Sequence, residues 1–242
     1  MYNSPIFKEF IDKTKDVLYN KNIIIPETSD KAAIYIDNRI NEHIKYSIYN
    51  HMYFLDGKFT LYFFHSKENE EYIKTELKDL KNIKYIKFDT KVGSHTDYTN
   101  FMLTNFVYDQ IVATHILMFQ YDSMMFKHWD DIYNDYDYLG APWSFPEVGG
   151  NGGYSYRSKD LVKKTISNIS FLKKNLQLDG QNEDHILSIS AYFHGMKVNG
   201  LEDGRKFSVE TIYDEDTMAC HQIHHYQTEE NIRKIINKVR YD

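Results

Sequence analysis

The chain has one cysteine, four prolines and no long apolar run among its 242 residues, so it lacks the marks of disulfide-built, fibrous or membrane-spanning proteins. Cys220 alone cannot form an intramolecular disulfide, and the fold therefore owes nothing to an oxidising compartment. The apolar stretches, Ile116 to Phe119 among them, fall far short of the ~20 residues that cross a bilayer. Met1 to Pro5 carries no basic residue, and Lys8 and Glu9 interrupt any apolar signal-peptide core. A soluble, cytosolic or otherwise intracellular protein is expected. Excess positive charge is also missing: 29 Lys and Arg against 35 Asp and Glu give −6, which excludes the basic stripe of a general nucleic-acid binder. No Pro/Gly/Ser-rich linker, charge block or repeat divides the chain, so one domain over residues 1–242 is expected.

What the sequence does have is aromatics, at 16%, chiefly 21 Tyr and 15 Phe. Tyrosine joins a flat apolar face to a hydroxyl, a surface on which sugars and nucleobases stack. Codon bias accounts for most of them, since 24 of the 29 basic residues are Lys, as an AT-rich genome produces.

Periodicity predicts a helix after Ser4-Pro5 through Leu18, a buried strand over Lys31 to Arg39 and a helix from Ile40 to Tyr49. A second strand follows at Phe59 to His65, then a helix capped by Ser66 and running to about Leu80, then a third strand at Ile83 to Phe88. Asn100 to Ile111 has helical spacing, and Thr114 to Phe119 reads as the central strand. Strands alternating with helices predict βαβ units and a mainly parallel sheet. A capped helix from Thr228 to about Val239 closes the chain.

Four constellations bear chemistry. Asp122 stands just past the best strand, where open α/β sheets bind ligands; it either holds a metal or caps a following helix, as Ser123 also would. Gly149 to Gly153 either lets backbone approach a ligand or forms a flexible surface loop. It is not a dinucleotide fingerprint, because strand-like Tyr154 to Tyr156 follows it. Glu183 and Asp184 open a helix, complementing its dipole or supplying a base. His221, His224 and His225 crowd into five residues without a standard zinc spacing, as metal ligands or as a solvated turn.

The order Gln120 to Phe126, Tyr136 to Trp143, Gly150 to Arg157, then Glu183-Asp184, with Ile34 to Arg39 and Tyr62 to Asn69 upstream, resembles a poorly characterised family of GT-A-like glycosyltransferases of bacteria and large DNA viruses. The resemblance covers about Lys31 to Tyr226 and implies a single GT-A-like (Rossmann-like) α/β/α domain, its N-terminal half nucleotide-binding and its C-terminal half acceptor-binding. It implies a metal-dependent enzyme moving a sugar from a UDP-sugar, first UDP-glucose, to a glycan or glycosylated protein, sugar-bearing hydroxylysine of collagen-like protein being one such acceptor. For a viral member the compartment would be the host cell's.

In that class a D-x-D motif holds a divalent cation, usually manganese. Here Gln120 and Asp122 match its two positions, with the first acid replaced. The resemblance gives His221 and His224 to the metal, His224 first. It gives Asp37, Arg39, Tyr121, Trp143, Asn151, Gly152 and Gly153 to the donor, and Asp184 with Glu183 to catalysis. Core packing beside Pro142 is the other reading of Trp143. Asp184 acts as base in an inverting reaction or orients the sugar in a retaining one. The alternative function is a non-catalytic carbohydrate- or nucleotide-binding module on the same fold. A nucleotidyltransferase ranks last, for want of a Gly-rich triphosphate loop near the N-terminus.

Overall fold

The computed structural model describes residues 1, 4–90, 92–145 and 148–241. Its strands are β1 (Lys31–Ile36), β2 (Thr60–His65), β3 (Lys84–Lys87), β4 (His115–Phe119), β5 (Ser123–Met125), β6 (Tyr138–Ala141), β7 (Asn151–Ser158), β8 (Ser208–Val209) and β9 (Ala219–His221). Six of them form the central sheet in the order β3-β2-β1-β4-β7-β6. The first four run parallel, β7 is antiparallel to both its neighbours, and β6 therefore points the same way as β4. A small sheet of order β5-β9-β8 stands at its edge.

The helices are α1 (Pro5–Tyr19), α2 (Ile44–Leu55), α3 (Glu70–Glu76), α4 (His95–Met102), α5 (Asn105–Asp109), α6 (Lys159–Ser167), α7 (Ile169–Asn175), α8 (Glu183–Phe193), α9 (Leu201–Phe207), α10 (Ile223–Tyr226) and α11 (Glu229–Ile236). Alternate strand residues feed two separate cores, as the two-residue side-chain period requires. Ala33, Tyr35, Leu61, Phe63, Leu117 and Phe119 face α1, α2, α3 and α11. Ala32, Ile34, Tyr62, Phe64, Ile116 and Met118 face α4, α5, α6 and α8. The three-layer α/β/α arrangement follows, with a mainly parallel sheet buried on both sides.

Local chemistry moves several expected boundaries. Asn41 Oδ1 accepts from His43 N–H at 2.9 Å, a turn that delays α2 to Ile44 rather than Ile40. Ser66 does not cap α3; Asn69 occupies that position, and its Oδ1 accepts from Ser66 N–H at 3.0 Å. The expected helix over Asn100 to Ile111 is two helices, broken where the Thr104 hydroxyl donates back to the Phe101 carbonyl at 2.7 Å. Asp122 precedes a strand, so it caps no helix. Gly152 and Gly153 lie buried inside β7 rather than in a surface loop. Among the described residues no helix is long and apolar enough to cross a membrane.

His51 on α2 donates from Nδ1 to the Ser47 carbonyl at 2.7 Å and stacks on Phe119 with centroids 4.0 Å apart. Burial lowers its pKa to about 3. A histidine depressed in the folded state contributes stability above its unfolded pKa of about 6.5 and loses it as pH falls toward 3. Between pH 7.5 and 5 the wild type is expected to lose about 2 kcal/mol more stability than His51→Gln, measured by urea denaturation. Parallel losses would contradict this role for His51.

Candidate active site

A cleft of about 880 Å³ opens where the carboxyl ends of β1, β4 and β6 meet the amino end of β7. The chain passes from β1 to β2 on one side while β4 pairs on the other, so the gap between β1 and β4 is the sheet's topological switch point. Asp37, Arg39, Tyr121, Asp122, Trp143, Asn151, Gly152, Gly153, Glu183, Asp184 and His221 all line this cleft, and His224 does not.

Past β1, Asp37 is buried and holds Arg39 in a fork. Its Oδ1 accepts from Arg39 N–H at 2.9 Å and Nε at 2.8 Å, and its Oδ2 accepts from Nη2 at 2.9 Å. These bonds hold the Arg39 pKa well above its ordinary value. The guanidinium lies 4.6 Å from the centre of the Tyr121 ring, within cation–π range. Asn69, which sequence reasoning missed, fixes this turn by donating from Nδ2 to the carbonyls of Asp37 (2.8 Å) and Arg39 (3.1 Å). Its only sequence mark is an amide just ahead of the acidic first turn of α3.

Past β4, the pairing of β5 with β9 sets Ser123 opposite His221 and so brings His221 to Asp122. His221 Nδ1 meets Glu210 Oε1 at 3.0 Å, while Nε2 lies 3.3 Å from both Asp122 Oδ1 and Gln120 Oε1. Burial alone would lower the His221 pKa; Asp122 and Glu210 instead raise it to about 9. Burial pushes Asp122 up, but His221 more than offsets this and leaves the carboxyl below its ordinary value. Glu210 follows the two-residue β8, too short a strand to read from sequence.

Among the described residues no group of three His, Cys, Asp or Glu side chains is arranged to hold a metal ion. The nearest approach to such a set is Asp122 and His221 with the Gln120 amide oxygen. Two features suit it to a cation. Asp122 Oδ1 is buried with no well-formed hydrogen bond beyond its 3.3 Å approach to His221 Nε2, and Glu210 grips the far nitrogen of His221 as carboxylates do behind metal-bound imidazoles. His224 instead sits half-buried on α10 with its ring centroid 3.8 Å from that of His225, and burial lowers its pKa to about 4. Of the two histidines expected at the metal, His221 is the one that faces Asp122.

The amino end of β7 joins this cluster to the acidic pair on α8. A Cβ on Gly153 would lie 2.1 Å from His221 Nε2, and one on Gly152 would lie 2.7 Å from Glu183 Oε1 and 2.8 Å from Asp184 Cβ. Glycine is required at both positions because a side chain would occupy the space of the imidazole and of the carboxylates. Asn151 Oδ1 accepts from Gly153 N–H at 2.7 Å, and Asp184 Oδ2 accepts from Gly152 N–H at 2.9 Å.

Beneath them Arg157 is wholly buried. It donates from Nη2 to Glu183 Oε1 at 2.9 Å and from Nε to Ser155 Oγ at 2.9 Å. Burial and the Asp184 charge raise the Glu183 pKa against the pull of Arg157. Glu183, expected as catalytic, thus anchors α8 to β7, whereas half-buried Asp184 turns to the cleft. Past β6, Trp143 is half-buried on the wall, its ring parallel to Phe145 (5.4 Å, 7°) and tilted against His185 (5.6 Å).

Two solved structures share this architecture over most of the chain. The apo form of the glycosyltransferase GlyE from Streptococcus pneumoniae TIGR4 matches with a TM-score of 0.53 at 13% identity, over 84% of this chain and 55% of its own. This chain therefore spans about half the length of that protein. Mouse xyloside xylosyltransferase 1, also in apo form, matches with a TM-score of 0.55 at 12% identity, over 82% of this chain and 99% of its own. At such identities the likeness defines the fold, which is the GT-A glycosyltransferase fold. The chain belongs to DUF5672, a family described as proteins of unknown function, whose model matches residues 82–221. That match takes in Gln120, Asp122, the β7 glycines and Asp184, ends on His221, and leaves Asp37 and Arg39 outside it. A comparison with curated proteins finds no match.

The anchoring role separates the two acids. Glu183→Gln leaves Arg157 buried without its counter-charge and is expected to cost about 3–5 kcal/mol in urea denaturation. Asp184→Asn keeps an oxygen for Gly152 N–H and should cost about 1 kcal/mol. Equal costs would contradict the division of labour.

Proposed function

We propose that the chain is a glycosyltransferase that moves a sugar from a UDP-sugar, UDP-glucose first, to a glycan or glycosylated protein. Sugar-bearing hydroxylysine of collagen-like protein falls within that acceptor class, and the resemblance to GT-A-like enzymes of bacteria and large DNA viruses supports the reading. The observation that carries it is the pairing of Asp122 and His221 on one side of Gly153 with Asp184 on the other side of Gly152, all on one cleft at the switch point.

Each residue has a task in this reading. Asp184, held by two backbone N–H groups, takes the proton of an acceptor hydroxyl as that oxygen bonds to the anomeric carbon and the carbon–oxygen bond to the diphosphate breaks. That sequence inverts the anomeric centre. Asp122 and His221, with the Gln120 oxygen, would hold a divalent cation, manganese first, which supplies Lewis-acid stabilisation of the departing diphosphate. Arg39 offers a cation to the donor, and Asp37 aims it. Tyr121 offers a stacking face to uracil, and Asn151 with the glycines forms a floor close enough for the donor to lie against backbone.

Nucleotide release from a panel of UDP-, GDP- and CMP-sugars, with manganese or EDTA, tests the reading without an acceptor. UDP release that needs manganese is expected. Asp122→Ala should lower it by about 100-fold or more, and Asp184→Asn should slow transfer more than it weakens donor binding. No release without an acceptor leaves strict acceptor dependence or a binding module, and nucleotide binding with no release when neutral glycosides are added as well would make the chain a binding module on the same fold.

A further inference from the structure

The two aromatic side chains expected to serve the donor stand at different places along the cleft. Tyr121 follows β4 and pairs with Arg39, just past β1, whereas Trp143 follows β6, two strands further across the sheet. Two strand spacings amount to about 10 Å, which sets the two residues on different walls of the cleft. Trp143 instead stands on the α8 side of the cleft that Asp184 also lines: its ring is 5.6 Å from that of His185. With Phe145 parallel to it and 48% exposed, Trp143 forms a flat aromatic shelf on the cleft wall.

The charge along the cleft restricts what the shelf can receive. Asp37, Asp122, Glu183, Asp184 and Glu210 line it, and among the described residues Arg39 is its only Lys or Arg. Arg39 is already forked onto Asp37, at the far end from the shelf. A phosphorylated or carboxylated molecule seated on the shelf would meet a lining of five carboxylates against Arg39 and His221, with Arg157 already tied to Glu183, and so an excess of like charge. An uncharged sugar ring meets neither penalty: its C–H face lies on the electron-rich aromatic face, and its hydroxyls donate to the carboxylates.

We propose that the Trp143–Phe145 shelf is the acceptor subsite and that it takes an uncharged glycoside. The proposal rests on the glycosyl-transfer reading above and names the acceptor class for the same cleft. It reassigns Trp143 from the donor to the acceptor.

The chain has two tryptophans, and Trp129 is 4% exposed in the core, so a ligand-induced change in emission reports on Trp143. The experiment titrates a panel of neutral methyl glycosides, glucose 6-phosphate and UDP into the full chain, and measures UDP-sugar hydrolysis on the same preparation. At least one neutral glycoside is expected to shift the emission saturably, with glucose 6-phosphate about tenfold weaker or more. The response should vanish in Trp143→Ala and weaken in Phe145→Leu, both checked for native circular dichroism.

Three results would overturn the assignment: no response to any neutral glycoside, equal binding of the sugar phosphate, or a Trp143 response to UDP alone. If glycoside binding fails while donor hydrolysis persists, the acceptor assignment falls and the transferase reading stands. Saturable glycoside binding with no UDP release from any donor, even with that glycoside present, keeps the shelf and removes the transferase.

Discussion

Strand β7 enters the sheet with no side chain at residues 152 and 153, and the two halves of the cleft close onto that gap. His221 packs over Gly153, and the first turn of α8 packs on Gly152. One methyl group at either position would separate groups that come from opposite ends of the second half of the chain. The cost of glycine inside a strand is about 0.5–1 kcal/mol relative to alanine. That cost is offset here by the Gly152 N–H bond to Asp184 and by the Arg157–Glu183 pair beneath.

Electrostatics then divides the cleft by function. At the β1 end, Asp37 and Arg39 neutralise one another and leave a guanidinium against Tyr121. In the middle, two buried carboxylates flank His221, an arrangement stable only with positive charge between them, whether from the protonated ring or from a cation beside it. Toward β6, Arg157 is taken up by Glu183, Asp184 is left as the carboxylate on the cleft and the wall becomes aromatic. In the proposed reading a nucleoside diphosphate takes one end and an uncharged polyol the other, with Asp184 between them. This graded order comes directly from the strand order β1-β4-β7-β6.

How far the sequence reveals this depends on how local each cause is. Strands β1, β2 and β4 are legible because burial on both faces demands near-continuous apolar runs, and α8 is legible from its acidic first turn. Asp122 and Asp184 stand out because strand ends and helix starts are where such carboxylates act. The glycine segment reads equally well as a loop, because what forbids a side chain at Gly153 is an imidazole far along the chain. The choice between His221 and His224 depends on the register of β5 against β9, which no local pattern encodes. Glu210 and Asn69 act through partners distant in sequence, and Glu183 reads as an acid until its buried partner Arg157 is seen. The family match over residues 82–221 spans the middle and far end of the cleft but not the Asp37–Arg39 turn.

In the proposed reading the bare backbone of β7 lets His221 and Asp122 hold a cation that strengthens nucleotide binding. Calorimetric titration of UDP into the wild type and Gly153→Ala, with and without manganese, tests it most directly. The account predicts UDP binding that strengthens with manganese in the wild type and loses that dependence in Gly153→Ala while the far-ultraviolet circular dichroism stays native. Manganese-dependent binding of equal strength in the two proteins would contradict it.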